Sequence, residues 1–98
     1  MRAAKADANQ PEIVKALRAA GASVQHLHSV GAGCPDLVCG YRGVNYLIEV
    51  KDGSKPPSGR ALTPDQVAWH GGWRGSVSVV TSIDDALMAI GAVAWQRI

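Results

Sequence analysis

The run Gly33-Cys-Pro-Asp-Leu-Val-Cys-Gly-Tyr-Arg-Gly-Val-Asn-Tyr-Leu-Ile-Glu-Val-Lys51 decides the fold. Gly31, Gly33 and Pro35 make its approach a turn. Two strand-like stretches follow, Asp36–Tyr41 and Val44–Lys51, joined across Arg42-Gly43. If Arg42-Gly43 is a two-residue loop, Tyr41 pairs with Val44, and counting outward sets Asp36 opposite Glu49. Directly opposed residues share one face, with Cβ atoms about 5 Å apart. Lys51 lies two residues past Glu49 and joins that face, while Val50 points the other way. The hairpin then gathers two carboxylates and one ammonium at one end. Opposed carboxylates repel unless something cationic lies between them. A hard divalent ion such as Mg²⁺, held by one or two carboxylates and water, meets that need. A three-residue loop with Gly43 in a bulge is the competing register and shifts the pairing by one.

Upstream of the hairpin, Asn9 and Glu12 are spaced like a capping box, and Pro11 suits a first turn. Ile13, Val14, Leu17 and Ala20 give that helix an apolar stripe, and Gly21 is placed to end it. Ser23 to Ser29 reads as a short strand near an edge. Downstream, Asp52 to Arg60 has the composition of a mobile loop. Thr63-Pro-Asp-Gln66 starts a helix that carries Val67 and Trp69 and stops at Gly71-Gly72. Ser76–Thr81 is a strand, and Ser82 with Asp85 caps a last helix holding Ile83, Ala86, Leu87 and Ile90. The predicted order is α-β-β-β-α-β-α, an α/β sandwich around a small mixed sheet.

Ninety-eight residues predict one domain over 1–98, since two cores would each be too small. At 47% hydrophobic and 18% charged the chain is too apolar for disorder. A net charge of +2 excludes a polycation yet leaves room for a local basic patch. The uncharged stretch Ala86 to Gln96 is well short of the ~20 residues a spanning helix needs. Asp7 and Glu12 stand where a signal peptide would be apolar, which predicts a cytoplasmic protein. Cys34 and Cys39 are too few for a disulfide framework or a structural zinc site, and Cys39 is expected in the core.

Three segments together carry a family resemblance: Gly33-Cys-Pro-Asp36, Ile48-Glu-Val-Lys51 and Leu62-Thr-Pro-Asp-Gln66. They resemble the PD-(D/E)XK nuclease superfamily and, more narrowly, its stand-alone virus-type replication-repair nuclease (VRR-Nuc) domain, from about Glu12 to the last helix. The resemblance implies a restriction-endonuclease-like core and hydrolysis of a phosphodiester with Mg²⁺ or Mn²⁺. It implies Asp36 and Glu49 as metal ligands with the Val50 carbonyl, and Lys51 at the attacking water and phosphate. Glu12 matches the family's helical acidic residue at the metal shell, and Gln66 a Gln that holds water or Lys51. The implied substrate is branched DNA, a four-way junction first, cut by a homodimer. Flaps, forks or duplex DNA are alternatives, as is a non-catalytic DNA-binding module of the same fold. Intact Asp36, Glu49 and Lys51 speak against the last.

The bland reading of the hairpin end is a strand cap and a solvated strand terminus, and an isolated acid-x-Lys triplet would deserve it. Lys55, Arg60 and Arg42 are candidate phosphate contacts that otherwise are solvating charges. Ser29 lies near the Asp36 turn and either contacts a phosphate or is a plain turn residue. His26 and His28 read as surface histidines, because Mg²⁺ prefers oxygen, and His70 as a helix C-terminal cap. Trp69, Trp73 and Trp95 either stack on bases or close a core or interface. The apolar tail Ile90, Val93, Trp95 and Ile98 is what predicts the two-fold homodimer contact.

Overall fold

A computed structural model describes residues 7–92. It holds α1 (Gln10–Ala19), β1 (Ser23–His26), β2 (Leu37–Tyr41), β3 (Val44–Val50), α2 (Pro57–Arg60), α3 (Pro64–Gly72), β4 (Val77–Val80) and α4 (Ile83–Ala89). The strands form one sheet in the order β1-β2-β3-β4, antiparallel across the first three and parallel between β3 and β4. This is the expected mixed sheet flanked by helices. No described helix is long and apolar enough to cross a membrane. Of the tail, Val93, Trp95 and Ile98 lie outside the described residues.

The two-residue loop sets the register. Arg42 and Gly43 both have positive φ, +50° and +81°, as a type I′ turn requires. Tyr41 pairs with Val44 and Leu37 with Ile48, so the ladder runs without a bulge to the Asp36 end. Alternation then sorts the side chains. Leu37, Cys39, Ile48, Val50 and Val80 face the core, each 0–1% exposed, and meet Ile13 and Leu17 of α1 and Ala86 of α4. Fully burying one such side chain is worth about 1.5–3 kcal/mol. The helix that bears Ile13 and Leu17 ends as its Gly promised. Gly21 sits at φ +102°, its N–H donates to Arg18 O, and Ala22 N–H donates to Leu17 O.

Three local expectations are corrected. Asn9 forms no capping box, because its side-chain amide donates instead to the carbonyls of Lys51 (3.0 Å) and Thr81 (3.3 Å). That docks the start of α1 on the ends of β3 and β4. The supposed loop after Lys51 contains α2, since Pro57 fixes φ in a first turn that Gly59 N–H closes onto Pro56 O. Strand β1 is also shorter than expected and ends at His26, and one further bond in the same register, from Leu27 N–H to Asp36 O, carries the pairing to the Asp36 turn.

Candidate active site

The face of the sheet away from the core carries Asp36, Glu49 and Lys51, brought together as the hairpin register requires. Asp36 Oδ2 accepts from Val50 N–H at 2.8 Å, so the two strand ends are tied by the Asp36 side chain itself. Glu49 is 2% exposed and Lys51 8%, nearly as deep as the aliphatic core. Burial pushes the Glu49 carboxyl up to about 8, with the neighbouring Asp36 carboxylate adding to that rise, Lys51 opposing it and Asp7 adding more.

One side chain organises this group. Gln66 Nε2 donates to Glu49 Oε2 at 2.9 Å, and Gln66 Oε1 accepts from Lys51 Nζ at 2.8 Å. The same oxygen accepts from Thr63 N–H at 2.9 Å, while Thr63 Oγ1 accepts from Gln66 N–H. The capping box of α3 therefore fixes the rotamer that holds Lys51 and Glu49 apart by 3.9 Å. The start of α3 is pinned in turn by Gly33, at φ +86°. A Cβ there would overlap the Asp65 carbonyl, so only glycine lets the Asp36 turn approach the helix.

Glu49 Oε1 is buried and has no hydrogen-bond partner. An orphaned carboxylate oxygen beside a second carboxylate fits a divalent cation, which satisfies both at once. Among the described residues no three His, Cys, Asp or Glu side chains group tightly enough to hold an ion alone. Main-chain oxygen and water would complete a shell begun by Asp36 and Glu49, as Mg²⁺ commonly accepts. Val50 continues β3 between Glu49 and Lys51 and would offer such a carbonyl.

The structure does not bring Glu12 to this group. Glu12 is exposed and lines a different cavity with Asp52, Ser54 and Asp84. The acidic side chain whose charge reaches Glu49 from the helix start is Asp7, which also pairs with Lys55 Nζ at 3.4 Å. Of the basic candidates, Lys55 is held by Asp7, and Arg60 joins it by donating Nε–H to Lys55 O at 2.7 Å. Arg42 sits at the hairpin tip, five ladder steps from Asp36, its guanidinium 5.2 Å over the Tyr41 ring. Ser29 is exposed in the turn closed by Val30 N–H to Leu27 O. Sequence reasoning did not single out Asp7, and it read His70 only as a helix C-terminal cap. The His70 ring is half-buried on α3, has an unpartnered Nε2, and is held below its ordinary pKa by burial and then by Lys51. His26 meets His28 edge to face at 5.9 Å and Gln10 Nε2 at 3.3 Å. Cys39 is in the core, and burial raises its thiol to about 11.

No protein-family model matches the chain, and no curated protein matches it. A solved structure described as a VRR_NUC domain does. It shares 28% identity and a TM-score of 0.60, over 84% of this chain and 96% of that one.

Proposed function

From a chain that is a VRR-Nuc domain, and so of the PD-(D/E)XK nuclease type, we propose a Mg²⁺- or Mn²⁺-dependent endonuclease that hydrolyses phosphodiester bonds in branched DNA. Four-way junctions are the leading substrate, cut in pairs by a two-fold homodimer. The observation that supports this reading is the opposed Asp36–Glu49 pair, with an unpartnered buried oxygen, joined to Lys51 by Gln66.

Asp36, Glu49 and the Val50 carbonyl would hold the ion, with the charge of Asp7, which reaches Glu49, adding to the field around it. When bound, such an ion supplies Lewis acidity toward the phosphate and toward the attacking water. The other steps belong to the chain. Lys51 presents its ammonium from a fixed rotamer, orients the water and offsets charge growing on the phosphate oxygens. Gln66 is a positioning residue, because it touches Lys51 and Glu49 and keeps them from collapsing into a closed ion pair. Lys55 and Arg60 flank the group and meet neighbouring phosphates, which makes affinity fall with salt.

Junction resolution needs two cuts related by two-fold symmetry, and a C₂ dimer of one-site subunits supplies them. The test is a panel of labelled DNAs, single-stranded, duplex, flap, fork and four-way junction, incubated with Mg²⁺ or Mn²⁺. Paired symmetric cuts in the junction are expected. Cleavage of none overturns the enzyme reading, and cleavage elsewhere but not in the junction overturns the substrate.

A further inference from the structure

A groove of about 460 Å³ runs along the site face of the sheet. Val38, Leu47, Trp69 and Trp73 line it, together with the polar side chains of Asn45 and Ser76. The ladder fixes its distance from the chemistry. Val38 and Leu47 are cross-strand partners, and the next pair on that face is Asp36 opposite Glu49. Two strand residues span about 7 Å, so the groove opens one extended nucleotide away from the carboxylates. Cys34 belongs to both places. It lines the groove, and its thiol is raised by burial and then by the charges of Glu49 and Asp36.

The aromatic wall is an ordered stack. Trp69 and Trp73 are four residues apart at the end of α3, with ring centroids 4.6 Å apart and planes 17° from parallel. Trp73 nevertheless keeps 45% of its surface in solvent, and Arg74 beside it in the chain is exposed. Flat apolar walls with a few polar groups complement a nucleobase, which has two π-faces and a hydrogen-bonding rim. A cationic neighbour suits the phosphate attached to it.

We propose that this groove seats an unpaired base of the cut strand, stacked against the Trp69–Trp73 pair beside the scissile phosphate. The proposal rests on the nuclease reading above and gives its substrate class. Flaps offer such a base outright, and a four-way junction offers one when a pair at its crossover opens, where stacking is already interrupted. A base inside continuous duplex reaches it only by leaving its stack.

Binding is measured by fluorescence anisotropy in EDTA, with a single-stranded dT oligonucleotide and a duplex of equal length. Trp73→Ala should weaken single-strand binding by roughly 5- to 100-fold and duplex binding by less than about 2-fold. Trp73→Phe, which keeps a stacking ring, should stay within about 3-fold on both. Tryptophan emission of the wild-type chain should be quenched by the oligonucleotide, a readout that needs no variant. Absence of quenching overturns the proposal, as does an equal loss on both DNAs or no loss on either. If Trp73→Ala converts a dimer to a monomer with single-strand affinity unchanged, a second copy occupies the groove and the proposal fails. Failure of the nuclease reading is separate, since it appears as no cleavage of any DNA while quenching still reports the groove.

Discussion

Along β3 the two faces of the sheet alternate residue by residue. Ile48 and Val50 close an aliphatic core, whereas Glu49 and Lys51 lie almost as deep on the other side, at 2% and 8% exposure. Equal depth has opposite energetic meaning. Apolar burial stabilises the fold by about 25 cal/mol per Å², while a buried charge is unfavourable unless it is paired and hydrogen-bonded. The core face is satisfied as it stands. The site face is not, with Glu49 Oε1 unpartnered, its carboxyl pushed up to about 8, and Trp73 and Val79 each 45% exposed. Stability is concentrated on one face and unmet demand on the other, which is where a ligand gains most by binding.

Substitutions should separate the two faces. The largest effect is expected on the site face, where Asp36→Asn and Glu49→Gln keep shape but withdraw a charged ligand. Each should lower cleavage about a thousandfold or more while denaturant titration finds the fold no less stable. Wild-type turnover in either variant removes that residue from the site. The mirror experiment is Ile48→Ala, one residue along. It should lose about 2–5 kcal/mol in urea unfolding, and the fraction still folded should cleave normally. An Ile48→Ala protein that is stable but inactive would erase the distinction.

Gly33→Ala tests the joint between the faces and α3. A residue forced to φ +86° against the Asp65 carbonyl should cost about 1–3 kcal/mol and reduce cleavage by moving Gln66. Unchanged stability and turnover would show that the Asp36 turn does not position the helix.

A smaller effect is pH dependence. Because the folded Glu49 carboxyl titrates near 8 and the unfolded one near 4.5, the native state holds the extra proton between those values. Metal-free stability from this group is therefore greatest at low pH and declines as pH rises through that window. His70, held below its ordinary 6.5, works in the opposite sense. The difference between wild type and Glu49→Gln isolates the carboxyl, since His70 remains in both. The melting temperature of wild type should fall relative to the variant from pH 5 to 8.5, and a parallel course would contradict the burial of Glu49 as the cause.

Much of this was legible in the sequence because short-range rules decided it. Arg42-Gly43 admits a type I′ turn, that turn fixes register, and register opposes Asp36 to Glu49. Thr63-Pro-Asp-Gln66 was readable as a cap, and Gln66 reaches the site because the cap orients it. What stayed hidden depended on tertiary docking. Asn9 looked like a capping residue but is drawn to the carbonyls of Lys51 and Thr81, and it is the charge of Asp7, ahead of the helix, that reaches Glu49. Arg42 was a plausible phosphate contact by charge, yet the hairpin that makes the site also carries it to the far end. Strand alternation assigns residues to faces, but nothing local says that α3 leaves one face open beside Trp73.

The central claim is that Asp36 and Glu49 form a divalent cation site on the open face of the sheet, and titration of Mn²⁺ followed by electron paramagnetic resonance tests it without substrate. At pH 8 the free Mn²⁺ signal should be depleted by the wild-type chain and by Lys51→Ala, and remain undiminished with Glu49→Gln. Equal depletion by wild type and Glu49→Gln, or none by wild type, would contradict the account.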